Sequence, residues 1–135
     1  MKKNLLITII TLLGLLAFLP AYSGQLNAED IKTLFSGVTI ESTHLKKDFE
    51  SSVYYDPNGQ FYGLRDDSIF QGKWSVKDDN TICITHINGK VFCLMIEKED
   101  GIIYKYKIKD NGKKIRIYEY KSFTKGNPNN YKYTN

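Results

Sequence analysis

The stretch that decides the fold is residues 53–76, VYYDPNGQFYGLRDDSIFQGKWSV. Apolar and polar residues alternate on both sides of an Asp-Pro-Asn-Gly segment, and this period of two indicates half-buried β-strands. Pro57 suits the first central position of a type I turn, and Gly59 suits the left-handed position that follows. The stretch therefore predicts a hairpin in which Tyr55 faces Phe61.

The same alternation continues from residue 38 onward, broken every few residues by short polar turns. Connections this short force neighbouring strands to be antiparallel, because a parallel crossover needs a dozen or more residues. We predict an all-β fold with one short N-terminal helix and an up-and-down meander that closes into a barrel or half-barrel of about eight strands. The predicted strands are 38–43, 49–55, 60–64, 69–76, 81–86, 90–97, 102–108 and 113–120.

The helix is predicted over 28–35. Asn27 can cap its first turn, where Glu29 and Asp30 complement the positive end of the helix dipole. Ile31 and Phe35 lie one turn apart and, with Leu34, form an apolar stripe that suits a core.

The first 23 residues are typical of a secretory signal peptide. Lys2 and Lys3 precede an apolar run at 5–19, which is shorter than the roughly 20 residues of a membrane span. We predict cleavage after Ser23, which gives a periplasmic or secreted protein; an uncleaved N-terminal anchor is the alternative. No cysteine near the cut could carry a lipid. The remainder divides into a single barrel domain at 24–120 and a polar tail at 121–135.

Charge excludes one function class. The chain has 19 basic and 15 acidic residues, and loss of Lys2 and Lys3 leaves 17 against 15. A nearly neutral chain of this kind is not expected to bind nucleic acid.

The chain has two cysteines, and an even count in an exported protein indicates a disulfide. A three-residue loop at 87–89 would place Cys83 opposite Cys93 on adjacent strands. Free thiols, or metal or redox use, are the alternatives, although no Cys-x-x-Cys spacing is present.

Several of these segments together resemble a known family. AEDIKTLFSG at 28–37, VYYDPNGQFYG at 53–63, GKWSV at 72–76, the two cysteines and the following Tyr104 are similar to small exported bacterial proteins that contain the domain of unknown function nine-nine-five. The resemblance implies an exported β-rich domain and no activity. Gly72-Lys73-Trp74 also resembles the Gly-x-Trp of lipocalins and avidins, which carry it on their first strand rather than their fourth.

No residue pattern predicts a metal, cofactor or catalytic site. His44 and His86, the only histidines, are expected to be surface residues at turn edges; a copper or zinc site with Met95 would need ligand spacings that the sequence lacks. A hydrolase is the third and least supported function class, because no nucleophile motif is present. We therefore expect a non-enzymatic protein without cofactors.

Our first functional hypothesis is a monomeric interaction module for an unknown protein partner. Lysines on the last hairpin are assigned to its exposed face, beside aromatic rings that add contact area. The alternative is a lipocalin-like carrier of a small apolar ligand, with a cavity beside Trp74. The candidate binding residues are Trp74, Tyr62, Tyr104, Tyr106, Lys105, Lys107, Lys109, Arg116, Tyr118 and Tyr120.

Overall fold

The computed structural model describes residues 24–134; the predicted signal peptide lies outside the described residues. The described part contains one helix, which is too short to span a membrane. In chain order the elements are β1 (Gly24–Gln25), α1 (Ala28–Phe35), β2 (Val38–His44), β3 (Glu50–Tyr55), β4 (Gln60–Arg65), β5 (Ser68–Lys77), β6 (Thr81–His86), β7 (Val91–Glu99), β8 (Ile102–Ile108) and β9 (Lys114–Lys125).

Strands β2 to β9 form a closed antiparallel barrel. Each strand pairs with the next along the chain, and β9 pairs with β2 to complete the ring. The two-residue β1 is an additional strand that pairs with β7 beyond the end of β6. The predicted all-β fold class is confirmed, and the barrel is closed rather than half-open.

The turns set the strand register as predicted. Tyr55 pairs with Phe61 across the β3–β4 hairpin, and Val53 pairs with Gly63. At the β6–β7 hairpin the backbone N–H of His86 donates to the carbonyl of Lys90 at 2.8 Å, and this register places Cys83 opposite Cys93. A disulfide joins these two cysteines, so that prediction is also confirmed.

Helix α1 covers one end of the barrel, which we call the closed end. Asn27 caps it by accepting the backbone N–H of Asp30 at 2.9 Å. Phe35 is fully buried, with its ring edge-to-face against Tyr55 at 5.0 Å and Tyr120 at 5.5 Å between centroids. The backbone N–H of Ala28 donates to the Asn80 side chain at 2.8 Å, which ties the helix start to the β5–β6 turn.

The last strand is longer than predicted. It continues past residue 120 to Lys125, because its second half pairs with the first half of β2, where Lys125 lies opposite Val38. The chain then returns to the barrel, where the backbone N–H of Thr134 donates to the Gln71 side chain at 2.8 Å. Part of the predicted polar tail is therefore barrel wall.

Candidate functional site: a cavity at the open end of the barrel

The barrel contains a cavity of about 420 Å³ at the end opposite α1, which we call the open end. Each of the eight barrel strands, or the turn beside it, contributes to the wall. The lining residues are Ser42, His44, Lys47, Phe49, Ser51, Tyr55, Arg65, Phe70, Ile84, His86, Phe92, Leu94, Lys105, Lys107, Ile117, Tyr118 and Tyr120.

The floor of the cavity is the upper surface of the hydrophobic core. Tyr55, Ile84 and Tyr120 are all buried there, and the two tyrosines rest on Phe35 from the helix side. Burial raises the pKa of both phenols, so both are neutral at physiological pH. The floor is therefore apolar except for these two hydroxyl groups.

Lys105 points into the cavity from β8. The residue is only 7% exposed, and its Nζ lies 5.3 Å from the centroid of the Tyr118 ring. Burial, with the nearby charge of Arg65, lowers the pKa of Lys105 to about 8. Lys105 is thus a buried amine that is still mainly protonated at neutral pH.

Arg65 lies across the cavity at the end of β4. Its guanidinium carbon stacks 4.0 Å from the centroid of the Phe70 ring and 4.7 Å from that of Phe49. Among the described residues its buried Nε has no hydrogen-bond partner. The aromatic faces hold the cation in place, but none of them neutralises it.

The two histidines also face inward, so the expectation that they lie on the surface is wrong. His44 is 9% exposed, and its Nδ1 accepts the backbone N–H groups of Lys46 and Lys47. Each histidine is the last residue of its strand, and the alternation of that strand places the side chain inside the barrel. His86, for example, comes two residues after buried Ile84. Burial lowers the pKa of both histidines, with further lowering by Lys47 at His44 and by Arg65 and Lys105 at His86.

The assignment of faces on the last hairpin is wrong as well. Lys105 and Lys107 line the cavity, together with Tyr118 and Tyr120 from β9. A bulge opposite the Lys105–Tyr106 step shifts the β9 register here. At the open end a long side chain such as that of Lys107 can face inward and still be exposed, whereas Lys105, further along the strand from this end, is buried.

The outer face of the hairpin is neutralised by carboxylates. Glu97 on β7 is only 3% exposed in its side chain and accepts Lys114 at 2.6 Å and Arg116 at 2.8 Å. Arg116 also pairs with Glu99. Burial acts to raise the pKa of Glu97, but the hydrogen bonds from the two cations outweigh it and leave that pKa lowered.

The rings of the β8 tyrosines make cation–π contacts with these cations. Arg116 stacks 4.2 Å from the ring centroid of Tyr104, and Lys114 lies 4.9 Å from that of Tyr106. The predicted positive docking face is therefore divided: Lys105 and Lys107 line the cavity, whereas Arg116 belongs to an internally paired cluster on the outside of β7, β8 and β9. Of the predicted lysines, Lys107 is exposed beside the cavity and Lys109 is exposed in the β8–β9 turn.

Two further candidates lie away from the cavity. Trp74 faces inward as predicted but belongs to the core at the closed end, where its indole N–H donates to the Asp56 carbonyl at 2.9 Å. Tyr62 lies on the outer face and donates to the Asp56 carboxylate; burial and that hydrogen bond raise its pKa to about 12. A cavity exists, but not beside Trp74.

Several residues that line the cavity are not among the binding residues predicted from the sequence, above all Arg65, Phe70 and Phe92. Arg65 follows Phe61 and Gly63 in the inward alternation of β4, which is the signal that could have identified it. Because an arginine directly before an Asp-Asp turn resembles an exposed turn residue, Arg65 was not predicted to face the cavity.

Within residues 24–134, no group of three or more His, Cys, Asp or Glu side chains could hold a metal ion. Comparisons with protein families, curated proteins and solved structures find no match to this chain. The resemblance to the domain of unknown function nine-nine-five stays a prediction.

Proposed function

We propose that this chain is a non-enzymatic binding protein that takes one small molecule into its barrel through the open end. The observation that carries the proposal is the cavity, whose volume of about 420 Å³ falls within the roughly 300–1,000 Å³ of small-molecule sites. Aromatic and aliphatic side chains from several strands line it, while a few polar groups converge on it. Such a combination suits an apolar ligand held in one orientation.

The rim of the open end supports this proposal. Of the seven large apolar residues that are exposed among those described, six lie in or next to the turns of this end. They are Leu45, Ile69, Ile87, Val91, Phe92 and Ile108. An apolar rim favours the approach of an apolar molecule, because the molecule can leave water before it enters the cavity.

The hypothesis of a protein-docking hairpin has less support. It requires an exposed positive face, whereas Lys105 is buried and Arg116 is paired with two carboxylates. The disulfide supports a location outside the cytosol, in a periplasm or the extracellular space, because disulfides persist in oxidising compartments.

A pair of variants on β7 tests the proposal. Leu94 lines the cavity, and Met95 is the next residue on the opposite side of the strand. Leu94→Trp should fill the cavity, whereas Met95→Trp adds the same ring outside it. The probe is N-phenyl-1-naphthylamine, a neutral dye whose fluorescence increases in apolar surroundings.

Wild type and Met95→Trp are expected to bind one dye molecule per chain, and Leu94→Trp to bind it at least about tenfold more weakly. Far-UV circular dichroism checks that the variants are folded, with Leu94→Phe as a smaller replacement. Equal dye binding by the folded Leu94 variants and wild type would show that the dye binds elsewhere and would contradict the proposal.

A further inference from the structure

The charges that line the cavity are all of one sign. Four Lys or Arg side chains contribute to the wall, namely Lys47, Arg65, Lys105 and Lys107, and no Asp or Glu side chain is among the lining residues. Elsewhere in the described chain, the largely buried carboxylate Glu97 is matched by two cations. In the cavity, positive charge is concentrated with no carboxylate among the lining residues.

Two of these cations are shielded from solvent, Lys105 as a buried residue and Arg65 as a half-buried one. Lys105 is 7% exposed, and the Nε of Arg65 is buried without a hydrogen-bond partner among residues 24–134. No ion pair within that range involves either residue. Burial of a charge is costly unless an opposite charge compensates for it, so these two groups favour any anion that reaches them.

Much of the remaining wall is apolar, although two histidines and two serines also line it. Phe70, Phe92, Leu94 and Ile117 surround the space, and Ile84 lies at its floor. A small inorganic anion would leave these surfaces without a partner, whereas a neutral hydrocarbon would leave the two cations uncompensated. A ligand that compensates the two cations and also covers the apolar wall must have one anionic head group and an apolar body.

We propose that the ligand is a small amphipathic anion, such as a medium-chain carboxylate, with its head group at Arg65 and Lys105. This inference rests on the proposed function. Arg65 presents a planar fork that can donate two parallel hydrogen bonds to a carboxylate, and Lys105 adds a point charge from the opposite wall. The apolar body lies against Phe70, Phe92 and Leu94.

Two dyes that differ in one group test this inference. Anilinonaphthalene sulfonate carries a sulfonate on the skeleton of N-phenyl-1-naphthylamine, so the ratio of their dissociation constants reports the contribution of the anion. We expect wild type to bind the anionic dye at least about tenfold more tightly, as charge-assisted hydrogen bonds allow. Dodecanoate should displace the anionic dye more effectively than dodecanol does.

Lys105→Met and Lys107→Met form the matched variants, because both residues line the cavity from one strand and only Lys107 is exposed. Lys105→Met should reduce the preference for the anion by about tenfold, whereas Lys107→Met should change it by less than about threefold. The wild-type preference should persist at 0.5 M salt, because buried charges are weakly screened. If Lys105→Met does not fold, Arg65→Gln serves as the second variant.

The outcomes separate the two proposals. If both dyes bind in the cavity with similar affinity, or if Lys105→Met and Arg65→Gln both retain the wild-type preference, the anionic head group is wrong while the binding cavity stands. If neither dye binds to the folded wild-type protein, the proposed function itself is overturned.

Discussion

Replacing Trp74 with alanine is expected to lower the free energy of unfolding by about 3 to 5 kcal/mol, the usual cost of removing a large buried ring. The indole is 9% exposed and packs edge-to-face on Tyr55 at 5.8 Å between centroids. Its N–H also donates to the carbonyl of Asp56, in the turn that sets the β3–β4 register. The substitution therefore removes core volume and a link between β5 and that turn.

Urea unfolding followed by far-UV circular dichroism measures this loss, since Trp74 is the only tryptophan and its fluorescence disappears with it. Trp74→Phe should show a smaller loss, because a ring remains and only the hydrogen bond and part of the volume are removed. Lys73→Ala, at the exposed neighbouring position, should stay within about 0.5 kcal/mol of wild type. A Trp74→Ala protein as stable as wild type would contradict the placement of this ring in the core.

Replacing Lys105 with methionine is expected to have the opposite effect and to stabilise the ligand-free protein by about 1 to 3 kcal/mol at pH 7. Burial, with the charge of Arg65, lowers the pKa of Lys105 from its usual 10.5 to about 8. That difference corresponds to about 3 kcal/mol for keeping the amine charged in the folded state. Methionine removes the charge and keeps most of the side-chain volume.

The pH dependence follows from the same shift. Between pH 8 and pH 10.5 the unfolded chain holds the Lys105 proton more tightly than the folded chain, so the stability of wild type rises with pH as far as this group is concerned. The advantage of Lys105→Met should therefore decrease toward pH 10. Other groups that face the cavity around Lys105 are unchanged in the variant; they are His44, Lys47, Tyr55, Arg65, His86, Lys107, Tyr118 and Tyr120.

Urea unfolding of wild type, Lys105→Met and Lys107→Met at pH 7 and pH 9.5 measures both effects. Lys107→Met is the control, because Lys107 is exposed and its charge is hydrated. A Lys105→Met protein that is less stable than wild type at pH 7 would contradict a buried, uncompensated charge. Lower stability of wild type, together with the proposed anion binding, would be the trade-off expected where a site is kept for function.

Local signals in the sequence are sufficient for much of the fold. Helix α1 has its predicted bounds, because the Asn27 cap and the apolar stripe of Ile31 and Phe35 are set by neighbouring residues. The Asp56 to Gly59 turn fixes the pairing of Tyr55 with Phe61 by its own geometry. The disulfide follows from the same kind of reasoning on the β6–β7 hairpin.

The site could not be predicted in this way, because both faces of β8 carry plausible core residues. Ile103 shares one face with Lys105, and Tyr104 shares the other with Tyr106. Which face turns inward depends on how β8 pairs with β9 and β7 when the barrel closes, and these are long-range pairings. Glu97, which holds Lys114 and Arg116 on the outside, is likewise distant from them in the sequence.

The most direct test of ligand binding in the open end is a two-dimensional ¹H–¹⁵N NMR titration of the ¹⁵N-labelled protein with dodecanoate. We expect the largest amide shift changes at the cavity wall, including Arg65, Phe92 and Lys105, and small changes in α1 at the closed end. Changes confined to the outer cluster around Tyr104 and Arg116, or no changes at dodecanoate concentrations below micelle formation, would contradict a binding site inside the barrel.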